Sequence, residues 1–244
     1  MISKSQVKYI QSLGQKKYRD QEQVFVAEGP RLVTDLLQSK DVIVTHLYAV
    51  SDWLEDNEKL LKEINTNEIL ERELQSISQL KTPNRVIAVV KKFENKEPIA
   101  AGNISLVLDT IQDPGNLGTI IRIADWFGIN QIVCSDDCAD MYNSKVVQAT
   151  MGSIARVNVY YTQLDKWLAD HREVRIFATM LEGKDVTKMS AITEGSIIIG
   201  NEAKGIDERL LQFANEKITI PKKGKADSLN AAVAAGIVLA CLAR

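Results

Sequence analysis

The chain has 244 residues, 45% of them hydrophobic and 25% charged, a composition suited to one or two ordinary folded domains with a real core. Lys and Arg number 30 against 32 Asp and Glu, so the net charge of -2 excludes a uniformly basic nucleic-acid binder and confines phosphate contacts to local clusters. The cysteines Cys134, Cys138 and Cys241 lack metal-ligand spacing, His46 and His171 are isolated, and no apolar run reaches membrane-spanning or signal-peptide form. A cytoplasmic protein with reduced thiols, no metal and no membrane partner is expected.

Residues 5–13 read as a helix with Val7, Ile10 and Leu13 on one face. Lys4, Lys8, Lys16, Lys17 and Arg19 make the first nineteen residues basic, with no acid among them. A strand is expected at 24–27. The turn Glu28-Gly29-Pro30 then opens a helix lined by Val33, Leu36 and Leu37. Strands follow at 46–50 and 86–90, with a polar, acidic, helical stretch between them. The charged run from Lys91 to Pro98 reads as a linker. This places a small α/β domain at 1–95, a linker at 96–102 and a second domain at 103–244.

From Asn103 onward strands alternate with helices. Strands are expected at 104–108, 131–134, 157–160, 174–178, 196–199 and 217–220. Helices are expected at 117–127, 144–151, 163–169, 205–212 and 228–242. Such alternation predicts a parallel sheet with helices on both faces and ligands at the carboxyl ends of its strands.

Three loops at such ends stand out. The first contains Asp113-Pro114-Gly115-Asn116-Leu117-Gly118, in which Pro-Gly makes a turn and Asn116 can cap the helix. Leu117, Ile120, Ile121, Ala124 and Phe127 form that helix's buried stripe. Arg122 lies beside the stripe, where it could grip a phosphate or simply make a surface salt bridge. The second loop, Gly200-Asn201-Glu202-Ala203-Lys204-Gly205, sets two glycines around an Asn-Glu pair, so that backbone groups can face a ligand. The third runs from Ile220-Pro221 through lysines to Ser228-Leu229-Asn230, with Ser228 the expected cap of an apolar, small-residue helix. No Walker loop, nucleophile triad or metal cluster competes.

Together, in this order and spacing, the three loops resemble the motifs of the SpoU/TrmH family of the SPOUT superfamily, RNA ribose 2′-O-methyltransferases. Lys16-Lys17-Tyr18-Arg19 and residues 25–32 resemble the family's ribosomal-protein-like RNA-binding domain. The resemblance implies an α/β fold whose C-terminal parallel-sheet domain carries a deep trefoil knot. It implies a homodimer and S-adenosyl-L-methionine as cofactor. Carried over by motif, the catalytic residues are Asn116, Arg122, Glu202, Ser228 and Asn230. Cofactor contacts fall on Gly200, Ile220 and Leu229, with Thr179, Met180 and Leu181 beside them. Lys16, Lys17 and Arg19 are expected on RNA phosphates, with rRNA ahead of tRNA as substrate. Two rival readings are a non-catalytic RNA-binding or assembly protein on the same fold, and an NAD-dependent Rossmann oxidoreductase. The second lacks the glycine fingerprint. Base methylation is a further alternative within the knotted enzymes.

Overall fold

The computed structural model describes residues 2–243. Their contacts divide the chain into two compact units, 1–94 with 142–155, and 95–141 with 156–244.

In the first unit, α1 (Lys4–Ser12) begins at a capping box in which Ser3 and Gln6 satisfy each other's exposed donors. A short α2 (Lys16–Glu22) follows, then β1 (Val24–Glu28), α3 (Pro30–Gln38) and β2 (Val44–Ala49). Next come α4 (Ser51–Asp56), β3 (Thr66–Glu68), α5 (Glu71–Ile77) and β4 (Val86–Lys91). The sheet order is β1-β4-β2-β3, with β4 antiparallel to both of its neighbours. Ile10, Leu13, Val24, Val26, Ile87 and Val89 belong to its core.

The second unit contains β5 (Ile104–Leu108), α6 (Pro114–Trp126) and β6 (Gln131–Cys134). The chain then supplies α7 (Ser144–Thr150), which folds with the first unit. β7 (Asn158–Tyr161), α8 (Leu164–Asp170), β8 (Ile176–Asp185), β9 (Gly195–Ile199), α9 (Glu208–Leu211), β10 (Glu216–Thr219) and α10 (Ala231–Leu242) complete the second unit. Its six strands are all parallel, in the order β10-β8-β9-β5-β6-β7. The expected α/β class and parallel sheet are therefore present. Val107, Val133, Ile176, Ala178 and Ile198 build much of one core face against Trp167 and Leu168 of α8. An apolar run buried on both sides, such as Ile197-Ile198-Ile199, is what a central parallel strand requires.

Several elements depart from the sequence reading. Helix α6 starts at Pro114, with Asp113 as its cap and Asn116 one turn inside. Helix α10 starts at Ala231, with Asn230 rather than Ser228 as its cap. Asp and Asn accept from helix-start amides as well as Ser does, so composition alone did not choose among neighbours. Residues 16–22 form a helix whose polar sequence carries no apolar period. Segment 142–155 packs with the first unit: Tyr142 lies 5.0 Å from Phe25 between ring centroids, and its hydroxyl accepts from Phe93 N at 2.9 Å.

Candidate functional site

The three loops meet where adjacent parallel strands end. Strand β9 lies between β5 and β8, and β10 flanks β8, so the loops after β5, β9 and β10 leave one edge of the sheet together. Asp113 Oδ1 accepts from the Asn116 amide at 2.8 Å, which holds the Pro-Gly turn against α6. Asn116 then spans the other two loops. Its Nδ2 donates to Glu202 Oε1, and its Oδ1 accepts from Asn230 Nδ2 at 2.8 Å. Asn230 Oδ1 accepts from the amides of Ala232 at 3.0 Å and Val233 at 3.2 Å, two donors left over at the start of α10. The chain Glu202–Asn116–Asn230 thus uses three expected residues to lock three loops.

The second loop is a tight turn closed by paired bonds between Asn201 and Gly205, at 3.0 Å and 2.8 Å. A Cβ on Gly200 would stand 2.4 Å from the Gly205 carbonyl carbon and 2.6 Å from Ile206 N, so glycine is required there by close backbone approach. Asn201, which sequence reasoning did not select, accepts from Ala203 and Lys204 amides and donates to Thr110 O at 2.9 Å. Its signal was legible in principle, since Asn readily makes such side-chain turns. Asp109 was also missed. It is buried, and its Oδ2 accepts from Asp207 N at 2.7 Å, tying the end of β5 to the start of α9. Asp207 in turn grips Arg209, which holds the Asp207 carboxyl below its usual pKa.

A cysteine pair braces the first loop from below. Cys138 Sγ accepts from Ile111 N at 3.2 Å and lies 3.4 Å from Ser135 Oγ. A hydrogen bond from Cys134, with these further donors, lowers the Cys138 pKa to about 7, while burial raises that of Cys134.

The expected cofactor residues surround the same edge. Strand β8 pairs with β10 through Ala178 and resumes at Lys184, so residues 179–183 bulge out of register. Thr179 Oγ1 donates to Ile198 O at 2.7 Å, and Thr219 Oγ1 donates to Leu181 O at 3.0 Å, which ties the bulge to β9 and to the end of β10 just before Ile220. Met180 is half-buried, while Leu181 is 76% exposed and Leu229 45% exposed. Residues 221–230 are exposed throughout, and among the described residues 221–229 make no hydrogen bond. A glycine cradle, free backbone donors and acceptors, and two uncovered leucines suit a ligand with an adenine face and polar edges held mainly by backbone. The donor set therefore fits S-adenosylmethionine.

The remaining expected residues are placed less centrally. Ser228 is exposed. Arg122 is exposed on α6, two turns past Asn116, and makes no hydrogen bond or ion pair among the described residues. In the first unit, Lys16 pairs with Asp20 at 2.7 Å and Lys17 is exposed. Arg19 corrects its expected surface position. It is 3% exposed, and its Nη1 donates to the carbonyls of Leu13 and Gly14, both at 2.9 Å, closing the end of α1. The second unit has a cleft beside Gly102 and Asn130, lined by none of the loop residues, and the first unit has one beside Arg31 and Trp53. Among the described residues there is no acidic, His or Cys cluster suited to a metal, and no helix long and apolar enough to cross a membrane.

Residues 103–240 match the model of the SpoU rRNA Methylase family, and residues 4–88 match that of the MRM3-like substrate binding domain. The chain is 31% identical over 236 residues to the 23S rRNA (guanosine(2553)-2'-O)-methyltransferase RlmP of Bacillus subtilis, covering 96% of this chain and 94% of that protein. A putative RNA methyltransferase of the TrmH family from Porphyromonas gingivalis superposes with a TM-score of 0.88 at 32% identity, covering 98% and 97% of the two chains. The AdoMet-bound rRNA methyltransferase from Sinorhizobium meliloti superposes with a TM-score of 0.84 at 30% identity, covering 98% and 94%.

Proposed function

The chain belongs to the SpoU rRNA methylase family, RNA methyltransferases that use S-adenosylmethionine, and we propose that it methylates a ribose 2′-hydroxyl of structured RNA, with rRNA as the substrate. The observation that carries this reading is the Glu202–Asn116–Asn230 chain, which holds three distant loops in one constellation. The 2′-O specificity and the rRNA substrate are named for the Bacillus subtilis relative.

The backbone of Gly200, Ile220 and Leu229, with Thr179, Met180 and Leu181, holds the cofactor in this reading. Bound S-adenosylmethionine supplies a methyl group already activated by its sulfonium. The protein's share is then positioning, because an in-line approach of the hydroxyl removes much of the barrier. Arg122, whose guanidinium has no partner among the described residues, grips the phosphate next to the target ribose. Asn116, Glu202 and Asn230 fix the loops around it, and Ser228 offers a free hydroxyl to the sugar. A guanidinium is a donor and not an acceptor, so the hydroxyl proton leaves through phosphate or water. Lys16 and Lys17 supply phosphate contacts in the substrate-binding unit.

The same reading carries the family's trefoil knot, supported by β9 lying between β5 and β8 although both β6 and β7 precede it in the chain. It also carries a homodimer. Trp126 is 84% exposed on α6, and Val233 is 50% exposed on α10, whose Gly236 faces Ile123 of α6. Two packed helices with uncovered apolar side chains beside the site loops suit a second copy of the chain. Mapping 2′-O-methylated riboses in RNA from cells with and without the protein tests the function. One rRNA ribose that loses its methyl and regains it on complementation supports the reading; an unchanged map contradicts it.

A further inference from the structure

Several cations of the methyltransferase unit are held in ion pairs. Arg156, Arg175, Lys184, Lys188 and Arg209 are engaged with Asp125, Glu216, Asp185 and Asp207. Lys222, Lys223 and Lys225 are different. They lie in the wholly exposed segment 221–230, and among the described residues none of them makes an ion pair or hydrogen bond. Lys204 of the second loop and Arg122 of α6 are exposed with uncommitted side chains as well. Asp227 is the one acid within the lysine segment.

Both ends of that segment are held at the site. Thr219 at the end of β10 bonds to Leu181, and Asn230 bonds to Asn116. Lys225 is five residues from Asn230, so its backbone lies within ~18 Å of that anchor even when fully extended. The lysines are therefore tethered to the rim of the pocket and cannot disperse over the surface. Ammonium groups so close together repel one another, and among the described residues no carboxylate pairs with them. A polyanion lying across the rim would.

We propose that Lys222, Lys223 and Lys225 form a phosphate clamp that holds the backbone of the substrate RNA across the mouth of the methyltransferase site. This rests on the RNA-methyltransferase reading and deepens it. It also gives a chain of net charge -2 a local cluster of positive charge with which to meet RNA. Counterions released by the clamp give affinity without sequence selection, so base or shape selection belongs elsewhere.

The test uses the full chain carrying K222Q, K223Q and K225Q together, and the matching triple Lys→Arg variant. Equilibrium binding to an rRNA transcript is measured from 50 to 300 mM salt, with S-adenosylmethionine affinity and the KM and kcat for RNA measured beside it. Each lost phosphate contact should reduce the slope of log K against log salt by ~0.7–0.9, so the triple Gln variant should lose about 2 to 3 from the slope and bind on the order of a hundredfold more weakly near 0.1 M salt. Its KM for RNA should rise by more than its kcat falls, cofactor affinity should be unchanged, and the Arg variant should restore the slope. An unchanged slope overturns the clamp, as does a loss that Arg does not restore. Binding is read without turnover. A wild-type protein that binds RNA with this salt dependence but transfers no methyl would defeat the functional reading and leave the clamp standing.

Discussion

Asn230 donates from Nδ2 to Oδ1 of Asn116, 2.8 Å away and 114 positions earlier in the chain. The other end of the same amide caps α10. One side chain therefore does two separable jobs: it starts a helix and ties the third loop to the first. A carboxylate can do the first job but not the second, because it has no N–H to donate.

Asn230→Asp should accordingly keep the cap and stay within about 0.5 kcal/mol of wild type in denaturant unfolding, while methyl transfer falls at least tenfold. Asn230→Ala should lose both, with a stability cost of ~1–2 kcal/mol. Equal destabilisation by Asp and Ala would contradict the cap, and full activity in the Asp variant would mean that the tie to Asn116 has no role in the reaction.

Gly200→Ala forces a Cβ into the backbone of Gly205 and Ile206, atoms that cannot rotate away. The turn closed by Asn201 and Gly205 must open. S-adenosylmethionine affinity, measured by calorimetry, should drop at least tenfold, about 1.4 kcal/mol. Ala at Gly224, where a Cβ meets nothing, should leave affinity unchanged. Equal affinities for the two variants would remove the second loop from the cofactor site.

Much of this architecture was legible from periodicity. The strands at 104–108 and 131–134 fall where the apolar runs placed them, since a buried parallel strand announces itself by β-branched continuity. The loops at their ends were legible as glycine and Asn-rich breaks. What escaped was tertiary. Nothing local in 142–155 says that it folds with the first unit, because that depends on Phe25 and Phe93, more than forty residues away in sequence. Arg19 looked like a surface cation, and its burial follows only from where the carbonyls of Leu13 and Gly14 end up. Asn116 and Ser228 are both residue types that cap helices. The choice of Asp113 and Asn230 depends on backbone angles that a sequence does not display.

Cys138 is 8% exposed, so a small alkylating reagent should reach it slowly, but its rate should follow a pH profile centred near 7. The thiolate is the reactive form, and donors from Cys134, Ser135 and Ile111 stabilise it, so reactivity rises as pH climbs through 7. An ordinary thiol would respond near 8.5. Cys134, whose pKa is raised by burial, should stay silent across the same range. Removing the Cys134 donor with Cys134→Ala should move the Cys138 profile upward. Mass spectrometry after timed labelling distinguishes the two sites, and a Cys138 midpoint at or above 8.5 in the folded protein would contradict the assignment.

Trp126 is the most exposed of the chain's large apolar side chains among the described residues. If a second copy covers it, sedimentation equilibrium should give twice the chain mass for wild type, and Trp126→Asp should give a single chain mass without loss of fold. A monomeric wild type at micromolar concentration would rule out the dimer.

In the proposed reaction a methyl group passes from S-adenosylmethionine to a ribose oxygen of RNA while Arg122 holds the neighbouring phosphate. The most direct measurement follows labelled methyl transfer to an rRNA transcript, then digests the product with alkali, which cannot cleave beside a 2′-O-methylated ribose. Wild type should leave the label in an alkali-resistant dinucleotide. Arg122→Ala, which removes an exposed side chain with no hydrogen bond or ion pair among the described residues, should fold normally and bind cofactor normally but transfer about a hundredfold more slowly at saturating RNA. Label released as a mononucleotide, or full activity in the Arg122→Ala protein, would contradict the account.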